Sequence, residues 1–541
     1  MRKIFLFVFI FSLILISSSF AQINSNSFSQ SPIAIFSGAA NGDSAGQSIA
    51  VISDINSDGY SEIAAGAPSS SNGDGAAYLY DGKTGTIINN FYSTSQNAGG
   101  YFGFSIDSLG DINGDGLPEI IIGEPFSSVG SFGGAGKAFI YEINGNLLYE
   151  LNGAAPYENF GFSVANAEDV NGDNINDIVI GARGYIPPGK VYVFNGADGS
   201  LIYQITGSAN LNGGQFGLGS AVMGLGDLNG DGYSEIAAGA PYQTSTAFVY
   251  SGNNGAQLAS FTGPSGFGNI ISNIGDFDND GTNDFAIGSS QYSGGMVRIY
   301  SGSSLTMLNE INGQIGDQFI SVSGGDINFD GFSDVIIAVN YIDSQNNAQG
   351  KINTYLGPNG NLAYTWNGIS NGVSNPISTI VSSHYNNDGL ADIVYGSADS
   401  YGNSPGNIVI HSLGGAWQFG NNNGVLNLAY TPNSNTPGSG TGTISGAAPF
   451  TTGYLAWSTS PTAVPLPQGD TLVVDLTAGQ SGVIPITFDS NGQVTFPSIG
   501  FNSQLFSGTN VYFEAFALKQ NQPTNQLSNY DSSNGMKVGL I

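Results

Sequence analysis

The chain has 541 residues, 10 basic and 40 acidic side chains, no cysteine and a formal charge of −30 at pH 7. That balance excludes non-specific binding to nucleic acid, because a phosphate backbone would be repelled. The lack of cysteine excludes disulfide staples and a lipid-modified cysteine anchor.

Residues 1–21 read as a secretory signal peptide. Arg2 and Lys3 precede an apolar run over 4–16, and Ser19-Phe20-Ala21 has the small-x-small form of a cleavage site. The run is short for a membrane span and no later one is long enough. A protein with no membrane span, secreted or held at a cell surface, is therefore expected. Residues 33–38 then have the sequence of a strand, although no complete unit precedes them.

From residue 54 onward a nine-residue string recurs: Asp, any, Asn or Asp, any, Asp, Gly (once Asn), any, any, Asp or Glu. It occupies 54–62, 111–119, 169–177, 227–235, 276–284 and 326–334, with a decayed seventh copy at 384–392. The starts lie 49 to 58 residues apart, a period that implies one supersecondary unit copied seven times. The seven strings hold 21 of the 40 acidic side chains, which would repel one another unless something positive sat among them.

Oxygen ligands at positions 1, 3, 5 and 9, with the backbone carbonyl of position 7, are how a tight loop gathers a hard dication, and position 6 needs a left-handed bend. The first loop would use Asp54, Asn56, Asp58, the Tyr60 carbonyl and Glu62; the second Asp111, Asn113, Asp115, the Leu117 carbonyl and Glu119. The third offers Asp169, Asn171, Asp173, the Ile175 carbonyl and Asp177, and the fourth Asp227, Asn229, Asp231, the Tyr233 carbonyl and Glu235. In the fifth stand Asp276, Asp278, Asp280, the Thr282 carbonyl and Asp284, and in the sixth Asp326, Asn328, Asp330, the Phe332 carbonyl and Asp334. Carboxylates and neutral oxygens without His or Cys favour calcium over zinc or copper, with magnesium the lesser alternative. About six calcium ions are expected. The seventh loop, where His384 replaces the first carboxylate, should be weak or empty. The competing reading is that these are Asp/Asn-Gly turns and nothing more.

Each unit reads as four short strands. In the second these are 102–106, 119–123 after the acidic loop, 137–141 after a Gly- and Ser-rich stretch, and 147–151 after an Asn-Gly turn. The third repeats the order with 160–164, 177–181 and 190–194. Four strands per unit with glycine turns describe a propeller blade, so the expected fold is all-β, a seven-bladed β-propeller over 32–415. The last unit has a third strand at 407–411 and no clear fourth, which leaves the strand at 33–38 to complete it and close the ring.

Phe-Gly-x-Ser before the loop and Gly-Ala-Pro after the second strand (Gly66-Ala67-Pro68, Gly239-Ala240-Pro241, and nearly so Gly123-Glu124-Pro125) resemble the FG-GAP repeat. That repeat builds the seven-bladed head of integrin alpha subunits and similar bacterial surface proteins. The resemblance implies structural calcium loops on the lower face, and adhesion or recognition through the upper one. The phrase decays to Gly288-Ser289-Ser290, Ala338-Val339-Asn340 and Gly396-Ser397-Ala398 in the later units.

Aromatic residues recur between the second and third strands, at Phe126, Phe132, Tyr185, Tyr242, Tyr292, Tyr341 and Tyr401. Flat amphipathic rings suit recognition of a protein or glycan, so this face is the candidate ligand site; local packing under the loops is the plainer reading. Catalysis has little support, with two histidines, no cysteine and no Gly-x-Ser-x-Gly elbow. A carboxylate-based polysaccharide hydrolase or lyase and a structural envelope or matrix protein are the rivals. Beyond about 416 the period stops. Segments 420–424 and 433–442 read as loops, and 471–476, 484–488, 494–496, 511–518 and 536–541 as strands, which suggests a C-terminal β-sandwich over 420–541.

Overall fold

The computed structural model describes residues 34–411 except 95–98, 185–187, 208–216, 243–244, 291–293, 329–330, 346, 368–375, 384, 386–390 and 399–404, together with the backbone of strands between 417 and 539. The signal peptide expected at 1–21 lies outside the described residues.

Seven four-stranded antiparallel sheets form the ring, each in simple sequential order save the one that closes it. Blade one comprises Ser48–Ile52, Glu62–Ala67, Ala76–Tyr80 and Ile87–Phe91. Blade two comprises Ser105–Gly110, Glu119–Glu124, Lys137–Glu142 and Leu147–Asn152, and blade three Phe160–Glu168, Asp177–Ala182, Lys190–Phe194 and Leu201–Thr206. Blades four, five and six begin at Val222–Gly226, Ile270–Gly275 and Gln318–Gly325. The closing sheet takes Thr379–Ser383, Asp392–Ser397 and Asn407–His411 from the end of the ring and Ala34–Ser37 from its beginning, with Ala34 opposite Ile410 and Ser37 opposite Asn407. The clasp expected from the sequence is present. Among the described residues of the ring one helical turn, Ser70–Gly73, accompanies the strands.

The repeated phrase has a physical reason in the contact between blades. The Gly-Ala-Pro glycine sits where no Cβ fits: at Gly66 it would lie 2.0 Å from the Gly103 carbonyl oxygen, and at Gly123 2.1 Å from that of Gly161. The serine that ends the phrase fastens the same carbonyl: Ser105 of Phe-Gly-x-Ser donates from Oγ to Gly161 O at 3.0 Å, and Ser48, in Ala45-Gly46-Gln47-Ser48 of blade one, to Gly103 O at 2.9 Å. A glycine in one blade thus receives the phrase of the next. The ring closes on this contact too, since a Cβ on Gly396 would lie 1.8 Å from Gly46 O.

Apolar faces between neighbouring blades form the core, for example Leu79, Phe91, Phe102, Ile120 and Phe139 between blades one and two. Phe36, Tyr78, Tyr80, Val394 and Ile408 do the same at the closure. Phe102 itself precedes the blade-two ladder, which starts at Ser105, so the strand expected at 102–106 begins later. The cause is Gly103, whose φ of 88° turns the chain before pairing can start.

Past the ring, Trp417–Asn421, Gly424–Pro432, Gly440–Ser445 and Val494–Phe496 share one sheet. Gly482–Thr487, Thr452–Ser458, Asn510–Leu518, Tyr530–Ser532 and Met536–Gly539 share another. Four of the strands expected there fall in these ladders and a fifth, Thr471–Val473, pairs with Ala463–Pro465. Gly440–Ser445 extends into the stretch read as loop, because Thr441 and Thr443 pair in the ladder with Thr431 and Ala429 and override the glycines.

Candidate metal centres and the opposite face

All six acidic loops join the first and second strands of their blades, so they share one face of the ring. Position 6 takes positive φ in each: Gly59 89°, Gly116 89°, Asn174 65°, Gly232 87°, Gly281 91° and Gly331 86°. A Cβ on Gly116 would meet nothing within 4 Å, so glycine there serves conformation and not space. Position 4 is left-handed as well, at Ser57, Gly114, Gly172, Gly230 and Asn279, which the sequence reading did not anticipate.

The carboxylate at position 1 draws the loop around itself. Asp111 accepts the N–H groups of Gly114 at 2.7 Å, Asp115 at 3.1 Å and Gly116 at 2.8 Å, and Asp169 and Asp227 repeat the set. Asp54 and Asp276 make shorter versions of it, and Asp326 accepts from Gly331 N at 3.0 Å. At position 5 an oxygen accepts from position 7: Tyr60 N to Asp58, Leu117 N to Asp115, Ile175 N to Asp173, Tyr233 N to Asp231 and Thr282 N to Asp280. At position 3, the amides of Asn56, Asn113, Asn171 and Asn229 reach the carboxylate of position 9.

Position 9 is fully buried. Glu62, Glu119, Asp177, Glu235 and Asp334 are 0% exposed and Asp284 1%. Each accepts the N–H of position 2 at 2.8 to 3.0 Å. Position 2 is the residue the sequence reading overlooked: Ile112, Val170, Leu228, Phe277 and Ile327 plug the loop into the core, and an apolar residue at that place in every copy was the available signal. Burial pushes Glu62, Glu119 and Glu235 up to about 7, and Asp177 and Asp284 up to about 6; the other carboxylates of the same loops add to the rise. Among the described residues the ion pairs Lys137–Glu150, Lys190–Glu158, Arg298–Glu310 and Lys351–Asp317 use other carboxylates.

The fifth loop brings Asp276, Asp278 and Asp284 together, one oxygen of each within 4.8 Å of the others. Among the described residues it is the only such carboxylate triple, because the other described loops carry Asn at position 3. Asp330 and most of the seventh loop, including His384, lie outside the described residues. The donor set is all oxygen, negatively charged and partly desolvated, which fits a hard dication.

Of the aromatic residues expected on the opposite face, Tyr185, Tyr292 and Tyr401 are outside the described residues. Tyr242 is 47% and Phe132 41% exposed. Tyr341 is on the strand Asp334–Ile342 and not in a loop, half-buried with Lys351 5.1 Å from its ring centroid. Phe126 is also half-buried, within a run that crosses three blades. Tyr101 meets Phe126 edge-on at 5.6 Å, Phe126 meets Phe104 at 5.8 Å, and Phe104 meets Phe162 at 4.9 Å. Arg183 lies 3.8 Å over the Phe162 ring and donates from Nη1 to the Tyr242 hydroxyl at 3.1 Å. Phe104 and Phe162, the second phenylalanines of two Phe-Gly-Phe phrases, are the members that a count of loop aromatics misses.

The FG-GAP repeat model matches residues 45–80, 102–141 and 160–194, and the FG-GAP-like repeat model matches 227–287. The chain is 32% identical to integrin alpha-4 of Xenopus laevis over 176 residues, 30% of this chain and 16% of that one. It is 36% identical to human integrin alpha-11 over 161 residues, 27% of this chain and 13% of the other. With integrin alpha-V of Gallus gallus the identity is 30% over 220 residues, 38% and 21% of the two chains. The aligned region thus spans 13% to 21% of the length of these relatives. The chain carries FG-GAP repeats and folds as an integrin-alpha-like seven-bladed propeller. The relatives it resembles here are integrin alpha subunits. Among the described residues no helix is long and apolar enough to cross a membrane.

Proposed function

We propose that this is an exported, calcium-stabilised recognition protein, secreted or displayed at a cell surface, which binds an extracellular protein or glycan through the face opposite its acidic loops. The observation that carries the cation part is the buried carboxylate at position 9, held beside two or three others of its own loop. A calcium ion in each of the six loops, with the 384–392 loop weak or empty, would offset that repulsion and stabilise the native ring by mass action. The recognition part rests on the likeness to integrin alpha subunits and on the run from Tyr101 to Tyr242, which offers flat rings and one guanidinium on a single surface. The C-terminal sheets are proposed to stack as a β-sandwich.

Calcium titration of the chelated protein is expected to find about six sites; binding of none would leave the loops as turns. Protein and glycan arrays probed with the wild type and with Tyr242→Ala and Tyr341→Ala test the recognition face. A ligand retained by both variants would move the site elsewhere.

A further inference from the structure

The turn joining the third and fourth strands of a blade lies beside the acidic loop of the same blade, and what it presents differs around the ring. In blade one Asp81 Oδ2 accepts the Asn56 amide at 3.2 Å, while its Oδ1 caps Thr84 N at 2.7 Å. In blade two Glu142 Oε1 meets the Asn113 amide at 3.5 Å. In blade three the corresponding contact is neutral, Asn195 Nδ2 donating to Asp173 at 3.2 Å, and in blade five it is the Ser303 hydroxyl on Asp280. Blades one and two therefore each place a fourth carboxylate on the amide that sits at position 3 of the loop.

We propose that Asp81 and Glu142 are positioning residues of the first two cation sites: each holds the position-3 amide in place and adds a negative charge, so that these sites bind calcium more tightly than the third. This rests on the cation reading of the loops given above. An amide that donates its N–H2 group to a carboxylate outside the loop is oriented by it, and its oxygen is left to the loop interior. The added charge acts on a divalent ion at close range in a solvent-exposed setting, where unit charges a few ångströms apart still interact appreciably. Lys83 works against it in blade one, since its ammonium bonds the Asp58 carbonyl at 3.2 Å and lies over the Tyr60 ring.

The test uses the full chain, stripped with chelator and titrated with calcium by calorimetry, as wild type, Asp81→Asn, Asp81→Glu and Asp81→Asn with Glu142→Gln. Asp81→Asn should weaken the tightest class of sites roughly threefold to tenfold, with the number of sites unchanged and the loss shrinking as salt is raised. Asp81→Glu should restore most of it, and the double variant should weaken two sites. In chelator the melting temperature of Asp81→Asn should stay level or rise, because a repelling charge has gone. A residue with only a structural part in the turn would lower the melting temperature in chelator and in calcium alike, and that result would overturn the proposal. So would unchanged affinities in the double variant. A wild-type protein that takes up no calcium would bring down the cation reading itself, and this inference with it.

Discussion

Blades one to three and blade six meet the next blade of the ring by different chemistry. In the early blades the contact is backbone on backbone, glycine against glycine, with a serine hydroxyl fastening the carbonyl. In blade six side-chain amides and hydroxyls take over. There Ala338 replaces the glycine, and Asn340, at the proline position, bonds Ile377 twice through its side chain, donating to its O at 2.9 Å and accepting from its N at 2.8 Å. Ser323 pairs with Ser382 at the same junction. Loss of the written phrase is therefore not loss of the blade. What persists is the need to satisfy the backbone polar groups that the packing of one blade on another buries.

The sharpest way to break this comparison is to put a side chain where early blades admit none. Gly123→Val would drive a Cβ to within 2.1 Å of backbone, which has no flexible end to move aside. A loss of roughly 4 kcal/mol or more is expected, read as failure to fold or a collapse of the melting temperature. Asn340→Ala, at the matching junction of blade six, removes two hydrogen bonds but creates no clash, and should cost about 2 kcal/mol. Gly116→Ala is the internal control: it meets open space and should lose only about 1 to 2 kcal/mol, from its left-handed backbone.

Why the ring was legible and parts of the site were not follows from the same contacts. Gly66, Gly123 and Ser105 recur because each blade faces the same steric problem, so the period, the strand order and the clasp at Ala34–Ser37 stood out in the sequence. The loop ligands were legible because oxygen donors at fixed spacing are written residue by residue. Asp81, Glu142 and the plug at Ile112 belong to the loops through space, from strand ends or from a position whose apolar character looks ordinary. The run through Phe104, Phe162 and Arg183 is assembled from three blades, and no single repeat contains it.

Chelation should produce the next largest effect, and its pH dependence carries a definite sign. Glu62, Glu119 and Glu235 have folded values raised to about 7 by burial in the absence of a cation, against an ordinary 4.5. A raised value means the folded chain holds the proton more tightly than the unfolded one. That contribution is complete below pH 4.5 and is lost as pH rises through 7. Chelator should thus lower the melting temperature on the order of 5–10 °C at pH 8 and much less at pH 5, with calcium abolishing the difference. Equal chelator effects at the two pH values would mean these carboxylates do not face the ion.

In the late half, blade seven carries a group with the opposite sign. His411 is buried against Tyr395, rings stacked at 5.7 Å, and burial lowers it to about 4 from an ordinary 6.5. Its stabilising contribution is full above pH 6.5 and falls away as pH drops toward 4, up to about 3 kcal/mol. His411→Phe should abolish that loss. The difference between wild type and variant, measured at each pH with calcium constant, isolates it from the loop carboxylates.

The smallest expected effect separates the two halves at their upper surfaces. Arg183 owes its place to a flat guanidinium lying 3.8 Å from the Phe162 ring while it bonds Tyr242. Lys351, in blade six, approaches Tyr341 at 5.1 Å but is held by Asp317 at 2.8 Å, a pair that needs only a point charge. Arg183→Lys keeps the charge and discards the plane, so it should cost no more than about 1 kcal/mol of stability while freeing the Tyr242 ring. Near-ultraviolet circular dichroism should show the change in tyrosine environment even where the melting temperature hardly moves. An unchanged spectrum would mean that the charge alone, as at Lys351, holds the early-blade surface together.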